Sequence, residues 1–414
     1  MILASFIGTT IEWYDFFLYG TAAALVFNRL FFPTLDPLAG TLSAYGTFAV
    51  GFVARPLGGA VFGHYGDRVG RRTMLVWSLL LMGIATALIG LIPAYDRIGV
   101  WAPVLLVLLR FIQGIGVGGE WAGAVLMVVE HSGGERRGFH GAWPQMGVPA
   151  GLLLSTGIFA LLSATLSETA LLAWGWRIPF LISVILIGVG LFIRLRLLET
   201  PAFARLKESG RESRVPLVDL FREHPREILV GMGMRFAQNV LFYVYTVFVL
   251  SYGEKTLGYP RGTMLGGVML ASIVGLFSIP FWSHLSDRVG RRPVYLTGAV
   301  ISLLFVWPFF WLLGRGSTAL IWLSIVFAMN VGHDLMYGPM AAYLSELFGT
   351  HVRYSGASLV YQLTSVFSGG LAPFIATLLM ARYGTGAVAA YLGIACTITV
   401  VATWFAPETH RRNL

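Results

Sequence analysis

Apolar stretches recur along the whole chain, each close to the ~20 residues that a helix needs to cross a hydrocarbon core. Short segments between them hold most of the Lys, Arg, Asp and Glu. This pattern predicts twelve spans, at about 4–28, 43–63, 73–93, 103–130, 140–163, 175–196, 228–251, 262–282, 293–313, 318–345, 355–380 and 387–406. Lipid offers backbone groups no hydrogen-bond partner, so each span is expected to be a helix. The expected fold is an all-α membrane protein of twelve transmembrane helices. One longer polar connection follows the sixth span and carries both signs of charge, among them Glu199, Arg205, Lys207, Glu208, Arg211 and Glu212. It predicts a first half at 1–197, a linker at 198–227 and a second half at 228–414.

Composition agrees with the pattern. Of 414 residues, 56% are hydrophobic and 12% charged, about half the ~25% charge of soluble domains. Such a chain cannot coat two or three soluble domains with polar residues. The single cysteine, Cys396, lies in an apolar run and excludes an internal disulfide or a multi-cysteine metal site. No basic region precedes Glu12 and Asp15, so a retained first helix is expected rather than a cleaved signal peptide.

Charge then orients the spans. With both termini in the cytoplasm, nineteen of the 29 Lys and Arg fall inside, seven outside, and Arg55, Arg110 and Arg235 lie within spans. That asymmetry fits the positive-inside rule. It also accounts for the net charge of +9 through anionic headgroups and membrane potential, without nucleic acid.

The halves repeat. Gly63-His64-Tyr65-Gly66-Asp67-Arg68-Val69-Gly70-Arg71-Arg72 follows span two, and Ser283-His284-Leu285-Ser286-Asp287-Arg288-Val289-Gly290-Arg291-Arg292 follows span eight, 220 residues later. Glu130 with Arg137 returns as Glu346 with Arg353, 216 residues later. Two motifs at nearly one offset indicate an internal duplication. Arginines and an aspartate at the inner helix ends can bridge neighbouring helices, with Glu130 and Glu346 as partners. Such pairs would latch the inner mouth shut and break as the halves rock; alternatively they only set topology.

Charges inside the spans carry the chemistry. Each costs roughly 2.5–3.5 kcal/mol at mid-bilayer and demands a partner or a watery cavity. Glu12, Asp15 and Tyr19 share one face of span one by their three- and four-residue spacing. Arg55 lies midway in span two, Arg110 and Glu120 in span four, Arg235 in span seven, His333 and Asp334 in span ten. These groups could simply pair, Arg55 with Asp15 for example. They could also move protons, because a buried carboxylate changes protonation state as an arginine engages or leaves it, and histidine titrates near neutrality. Asp15 and Glu120 lead as proton sites, then Glu12 and Asp334, with His333 beside them. One proton moving through 100 mV and one pH unit releases about 3.7 kcal/mol, enough for roughly a few-hundredfold gradient.

On the cationic side, Arg110 and Arg235 sit in opposite halves and suit a carboxylate bidentately, with Arg55 and Tyr19 as further candidate substrate ligands. Gln238, Asn239 and Tyr243 line a polar face beside Arg235; Gln145, Tyr361 and Gln362 could add donors for hydroxyls. Each could equally hydrogen-bond between helices.

The D-R-x-G-R-R repeats resemble the signature of the major facilitator superfamily. Finer features are similar to its metabolite:proton symporters: Gly8-Thr9-Thr10-Ile11-Glu12-Trp13-Tyr14-Asp15-Phe16, Arg55-Pro56-Leu57-Gly58, Arg110-Phe111-Ile112-Gln113-Gly114, Gly118-Gly119-Glu120-Trp121, Gly175-Trp176-Arg177-Ile178-Pro179-Phe180 and Glu199-Thr200-Pro201. That resemblance implies a bacterial inner-membrane carrier of shikimate, 2-oxoglutarate, citrate or proline/betaine type. Its implied partners are a small organic acid, protons and the bilayer, with a monomer as working unit. No cofactor other than the coupling proton, and no metal, is expected. Gly147-Val148-Pro149-Ala150-Gly151 lacks the full G-P-x-x-G-G pattern of antiporters, which favours symport. Eight residues follow Ala406, too few for the coiled-coil tail of osmosensing proline/betaine members, so an organic acid is the leading expectation. An uncoupled facilitator, an exporter and a proton/zwitterion symporter stand as alternatives. No G-x-S-x-G, H-E-x-x-H or P-loop points to an enzyme.

Overall fold

A computed structural model describes residues 2–69, 71–118, 120–121, 124–125, 128–129, 136–195, 222, 224–348 and 353–410. Most of the expected linker lies outside these residues. Helices occupy all twelve expected positions. The first, α1, is Ile2–Ala22, prolonged by a π-helical turn at Ala23–Phe27 and by Asn28–Phe31. There follow α2 (Pro37–Val69), α3 (Arg71–Leu91), α4 (Trp101–Gly118), α5 (Arg137–Thr165) and α6 (Arg177–Leu195). The later six are α7 (Pro225–Thr256), α8 (Arg261–Val289), α9 (Arg291–Leu313), α10 (Thr318–Leu347), α11 (Arg353–Ser365, continued by Val366–Gly370 and Ala372–Tyr383) and α12 (Thr385–Phe405). Nine of the described helices are long and apolar enough to span alone, and Glu168–Gly175 with α6 makes a tenth with a 43° bend.

The bundle is inverted relative to a soluble protein. Phe277, Leu304, Trp307 and Trp311 stand exposed on its outer faces, whereas Glu12, Asp15, Arg55, Arg110, Arg235, His333 and Asp334 are buried. Only hydrocarbon solvates such an outer surface without cost. Inside, α1 packs on α5, α2 on α4, α3 on α6 and α7 on α12; α5 meets α8, and α2 meets α11. The last two contacts interchange when six is added to, or taken from, each helix number, as a two-fold repeat requires.

Two features differ from the sequence expectation. The D-R-x-G segments were expected beyond the ends of spans two and eight, but helix continues through Asp67 to Val69 and through Asp287 to Val289. In the second copy the chain turns at Gly290, whose φ of +116° suits a residue without Cβ. Regular helices were expected throughout, yet π-helical turns interrupt α1 at Ala23–Phe27 and α7 at Val244–Phe248, 221 residues apart. Another spans Ala328–His333 in α10.

Glycine sets the closest helix pair. A Cβ on Gly114 would lie 2.2 Å from the Gly51 carbonyl oxygen, and one on Gly118 2.1 Å from that of Arg55. Because those neighbours are backbone, α2 and α4 would have to separate. Gly114→Ala and Gly118→Ala are each expected to cost about 1–3 kcal/mol, read as a lower melting temperature of the purified protein. Gly188→Ala, whose Cβ would meet nothing within 4 Å, should leave it unchanged.

Candidate functional site: a buried charged centre

The first six helices bring two guanidiniums to one aromatic ring. The Arg55 and Arg110 Cζ atoms each lie 4.1 Å from the Phe16 ring centroid. Arg55 also faces Phe52 at 4.4 Å and Trp13 at 5.4 Å; Arg110 faces Tyr19 at 4.3 Å and Phe48 at 4.9 Å. Desolvated cation–π contacts, worth about 2 kcal/mol each, offset part of the burial of these charges. Arg110 Nη1 donates to Gln113, whose Nε2 donates to the Asp15 carbonyl (3.2 Å) and to Thr86 (2.7 Å). The Nε and Nη2 groups of both arginines have no hydrogen-bond acceptor.

Asp15 does not pair with Arg55. Its Oδ1 accepts from Ser183 of α6, and its Oδ2 has no hydrogen bond. Arg55 is taken up by the rings of Phe16 and Phe52 instead. Tyr19 donates to Thr47 (2.7 Å), turning its hydroxyl toward α2. Glu12 and Glu120 are both buried.

In the later helices, Arg235 is held on several sides. Its Cζ stacks 3.3 Å from the Tyr361 ring centroid, Nε donates to the Tyr361 carbonyl (3.2 Å), Nη1 to Gln238 Oε1 (3.2 Å) and Nη2 to Ser365 (3.0 Å). Gln238 Nε2 reaches His333 Nε2 at 2.7 Å, and His333 Nδ1 reaches Asp334 Oδ1 at 2.8 Å. Asp334 Oδ2 accepts from Ser278 and, at 2.9 Å, from Asn330. A hydrogen-bonded line thus runs from Arg235 to Asp334. Asn239 donates to Ser368 (2.9 Å), and Tyr243 packs edge-on to Phe52 at 5.1 Å.

The two sets meet at Tyr361, whose ring stacks on Trp121 at 3.8 Å. Trp121 donates to Gln145 Oε1 (3.0 Å), and Gln145 Nε2 donates to the Tyr337 carbonyl (3.2 Å). Gln362 Nε2 donates to the Gly118 carbonyl (2.8 Å), while its Oε1 and the Tyr337 hydroxyl lack partners. Arg55 lies within electrostatic reach of Tyr243, Tyr361 and Arg235. Arg110 sits behind the aromatic layer, against Gly51. The cation opposite Arg235 is therefore Arg55, not Arg110 as the sequence suggested.

At the end of the bundle bearing the motif, Arg291 bridges Asp287 (2.7 Å) and Glu346 (3.2 Å), all three buried. Asp287 also accepts the amides of Gly138 and Phe139 at 2.8 Å each, tying α8 to α5. Arg353 donates to the Ser345 carbonyl (2.9 Å). Arg288 is exposed, and the Arg292 guanidinium lies over Trp404. Arg137 opens α5. The side chains of Gly63, Asp67, Arg68, Arg71 and Arg72, and all of Gly70 and Glu130, lie outside the described residues.

Several residues were missed by sequence reasoning. Glu408 accepts the amides of Arg291, Arg292, Thr409 and His410 at 2.8–3.1 Å. Burial works against its charge, but these backbone N–H groups outweigh it and hold the carboxyl below its ordinary range. The signal was a second Glu-Thr pair, Glu408-Thr409, echoing Glu199-Thr200. At the opposite end, Tyr45 of α2 bonds Ser251 of α7 (2.8 Å), and Lys255 donates to Thr41 (3.0 Å). No motif marked these four.

A lipid-facing bundle around a buried charged centre, with cross-links between its two sets of helices at both ends, is the construction of a membrane transporter. The chain belongs to the Major Facilitator Superfamily, whose profile matches residues 5–373. It is a multi-pass membrane protein and not an enzyme. It is 41% identical to the shikimate transporter of Escherichia coli strain K12 over 99% of this chain and 94% of that protein. It is 42% identical to the inner membrane metabolite transport protein YhjE of the same strain, over 100% and 95%. The E. coli K12 proline/betaine transporter is 36% identical, over 100% and 84%. A crystal structure of a D-xylose-proton symporter superposes with a TM-score of 0.77 at 20% identity, covering 100% of this chain and 99% of that one, a likeness of fold.

Proposed function

We propose that this carrier takes up a small carboxylate metabolite together with protons across the bacterial inner membrane, by alternating access between its halves 1–197 and 228–414. The observation that carries the reading is the pair of cations at the centre. Arg55 has N–H groups without acceptors, and Arg235 faces it from the other set of helices. A carboxylate supplies the missing acceptors in a geometry that guanidinium matches. Buried acids, Asp15 on α1 and Asp334 beside His333 on α10, provide the proton sites. Shikimate transporters and proton symporters among its relatives and fold neighbours support the same reading. The motif end is the cytoplasmic one, on the charge asymmetry of the chain, and a monomer is the working unit.

The test is uptake into proteoliposomes from a panel of labelled acids that includes shikimate, 2-oxoglutarate and citrate, with proline and glycine betaine alongside. Saturable uptake of one acid, collapsed by a protonophore, is expected. Saturable uptake indifferent to the proton gradient would replace symport with facilitated diffusion. Uptake of betaine alone would replace the organic acid with a zwitterion.

A further inference from the structure

We propose that His333, Gln238 and Arg235 form a proton-operated switch, in which a proton on His333 turns the Gln238 amide and frees an Arg235 N–H for the substrate carboxylate. The switch itself stands on hydrogen-bond geometry; only the identity of its ligand rests on the carboxylate-symporter reading.

The two ends of the line fix the direction of every bond in it. Arg235 is donor-only, so Gln238 must turn its oxygen toward Nη1 and its amide nitrogen toward His333. The ring nitrogen that meets it, Nε2, must therefore accept. Asp334 accepts from Ser278 and Asn330 on one oxygen and from His333 Nδ1 on the other. The ring is thus neutral, with its hydrogen on Nδ1.

A second proton has one place to go. On Nε2 it would face the Gln238 amide hydrogens across 2.7 Å, donor against donor. Rotation about the last side-chain bond of Gln238 exchanges its nitrogen and oxygen and restores that contact. The same rotation sets an N–H₂ against Arg235 Nη1, again donor against donor. Nη1 then keeps only the weak Met340 Sδ acceptor at 3.4 Å. The bonds from Nε to the Tyr361 carbonyl and from Nη2 to Ser365 hold the guanidinium in place meanwhile. A carboxylate oxygen of the substrate completes Nη1.

Charge balance makes the two events interdependent. Among the groups facing His333, Asp334 and Tyr337 come from its own helix, and Arg235 comes through Gln238 from α7. Ser278 of α8 and Ser302 of α9 contribute neutral hydroxyls, the latter beside Gly332. Tyr361 of α11 and Tyr243 lie beyond, within electrostatic reach of Tyr337. The charged members nearest His333 are Asp334 and Arg235, which sum to zero, and beyond them the charge of Arg55 is matched by that of Glu12. Adding only a proton leaves one buried positive charge, and adding only a carboxylate leaves one negative. Adding both restores neutrality, and an unbalanced charge in this interior is the costly case. Proton and substrate therefore bind cooperatively, each favouring the other by the same factor.

The deciding experiment is ¹⁵N NMR of the full chain in nanodiscs, labelled at histidine and glutamine and titrated from about pH 8.5 to pH 5. His333→Gln and Gln238→Leu assign the two signals. The expected result is a neutral His333 ring with its hydrogen on Nδ1 at high pH. On acidification it takes a second proton, and the Gln238 side-chain amide moves with the same midpoint. A neutral ring with its hydrogen on Nε2, a ring that takes no second proton, or a Gln238 signal that ignores the ring's titration would each overturn the switch. In uptake assays with labelled shikimate, KM is expected to rise about tenfold from pH 6 to pH 8, the scale of one hydrogen bond to a charged group. His333→Gln should flatten that rise; a rise that persists there also overturns the proposal. Should shikimate not be carried, the substrate reading fails while the spectra still decide the switch.

Discussion

Asp15→Asn is expected to abolish accumulation of the transported acid while leaving its exchange across the membrane intact. The Asp15 carboxyl is fully buried, holds one hydrogen bond from Ser183 and has an oxygen with no hydrogen-bond partner. Arg110, the nearby cation on α4, is committed to Gln113 and to the rings of Phe16, Tyr19 and Phe48. An ionised Asp15 thus lacks the guanidinium that would balance it in this closed arrangement, and a proton on Oδ2 removes the imbalance. The loaded carrier reorients only when that proton is present, and the proton is released with the substrate, which is what ties the cycle to the gradient. Asparagine keeps the size of the side chain and the acceptor for Ser183, but it is permanently neutral. The loaded carrier would then cross without a proton, and the acid would leak back down its own gradient. Steady-state accumulation under an imposed pH gradient should fall to near unity. Counterflow, in which labelled acid exchanges against unlabelled acid at zero gradient, should continue. Accumulation that survives in Asp15→Asn would move the coupling proton to the α10 pair.

The two acid clusters then divide the work by their surroundings. Asp334 has Arg235 as a neighbour of opposite charge through two intervening side chains, so its unit is neutral at rest and responds to the arrival of a charged ligand. Asp15 has a serine, so its protonation state bears on whether α1 can stay packed against α6. The first device governs affinity and the second governs movement. A variant of one should therefore leave the signature of the other: His333→Gln flattens KM against pH, and Asp15→Asn removes the gradient dependence.

Much of this arrangement was legible in the sequence, for identifiable reasons. Span number follows from the length of apolar runs, and the repeat from two motifs at offsets of 220 and 216. Charged residues inside spans stand out because lipid tolerates so few. Their partners did not stand out. Spacing places Glu12, Asp15 and Tyr19 on one helical face, but it cannot say that the group opposite Asp15 is Ser183, 168 residues away. Phe16, Phe48 and Phe52 read as ordinary lipid-facing or packing residues, because an aromatic ring looks the same in sequence whether it meets an acyl chain or a guanidinium. Arg55 and Arg110 were therefore expected to seek carboxylates, and the structure gives them rings. The links at the end opposite the motif were silent for a similar cause. Tyr45, Ser251, Thr41 and Lys255 are single polar residues near helix ends, where water is also available.

Arg291→Ala should cause a large loss of stability. Among the described residues, Arg291 is the one cation that holds two buried carboxylates together, Asp287 at 2.7 Å and Glu346 at 3.2 Å. Truncation leaves both acids buried with hydrogen bonds but no counter-charge. Asp287 keeps the Gly138 and Phe139 amides, and Glu346 keeps Thr409. Removing one partner of a buried pair costs about 3–5 kcal/mol, mostly as the stranded charge. The melting temperature of the purified protein should fall accordingly. Arg291→Lys should recover only part of the loss, because an ammonium is a point charge and cannot fork between two carboxylates. Arg288→Ala, one turn away and exposed, provides the control and should melt like the native chain. Arg291 also orders the turn at Gly290, where Glu408 collects the first amides of α9. Loss of the cation should therefore loosen the junction of α8, α9 and α10 together. A melt unchanged in Arg291→Ala would mean that the charge of Arg291 contributes nothing to holding Asp287 and Glu346. The charge-pair description of this end of the bundle would then give way to one built on neutral hydrogen bonds.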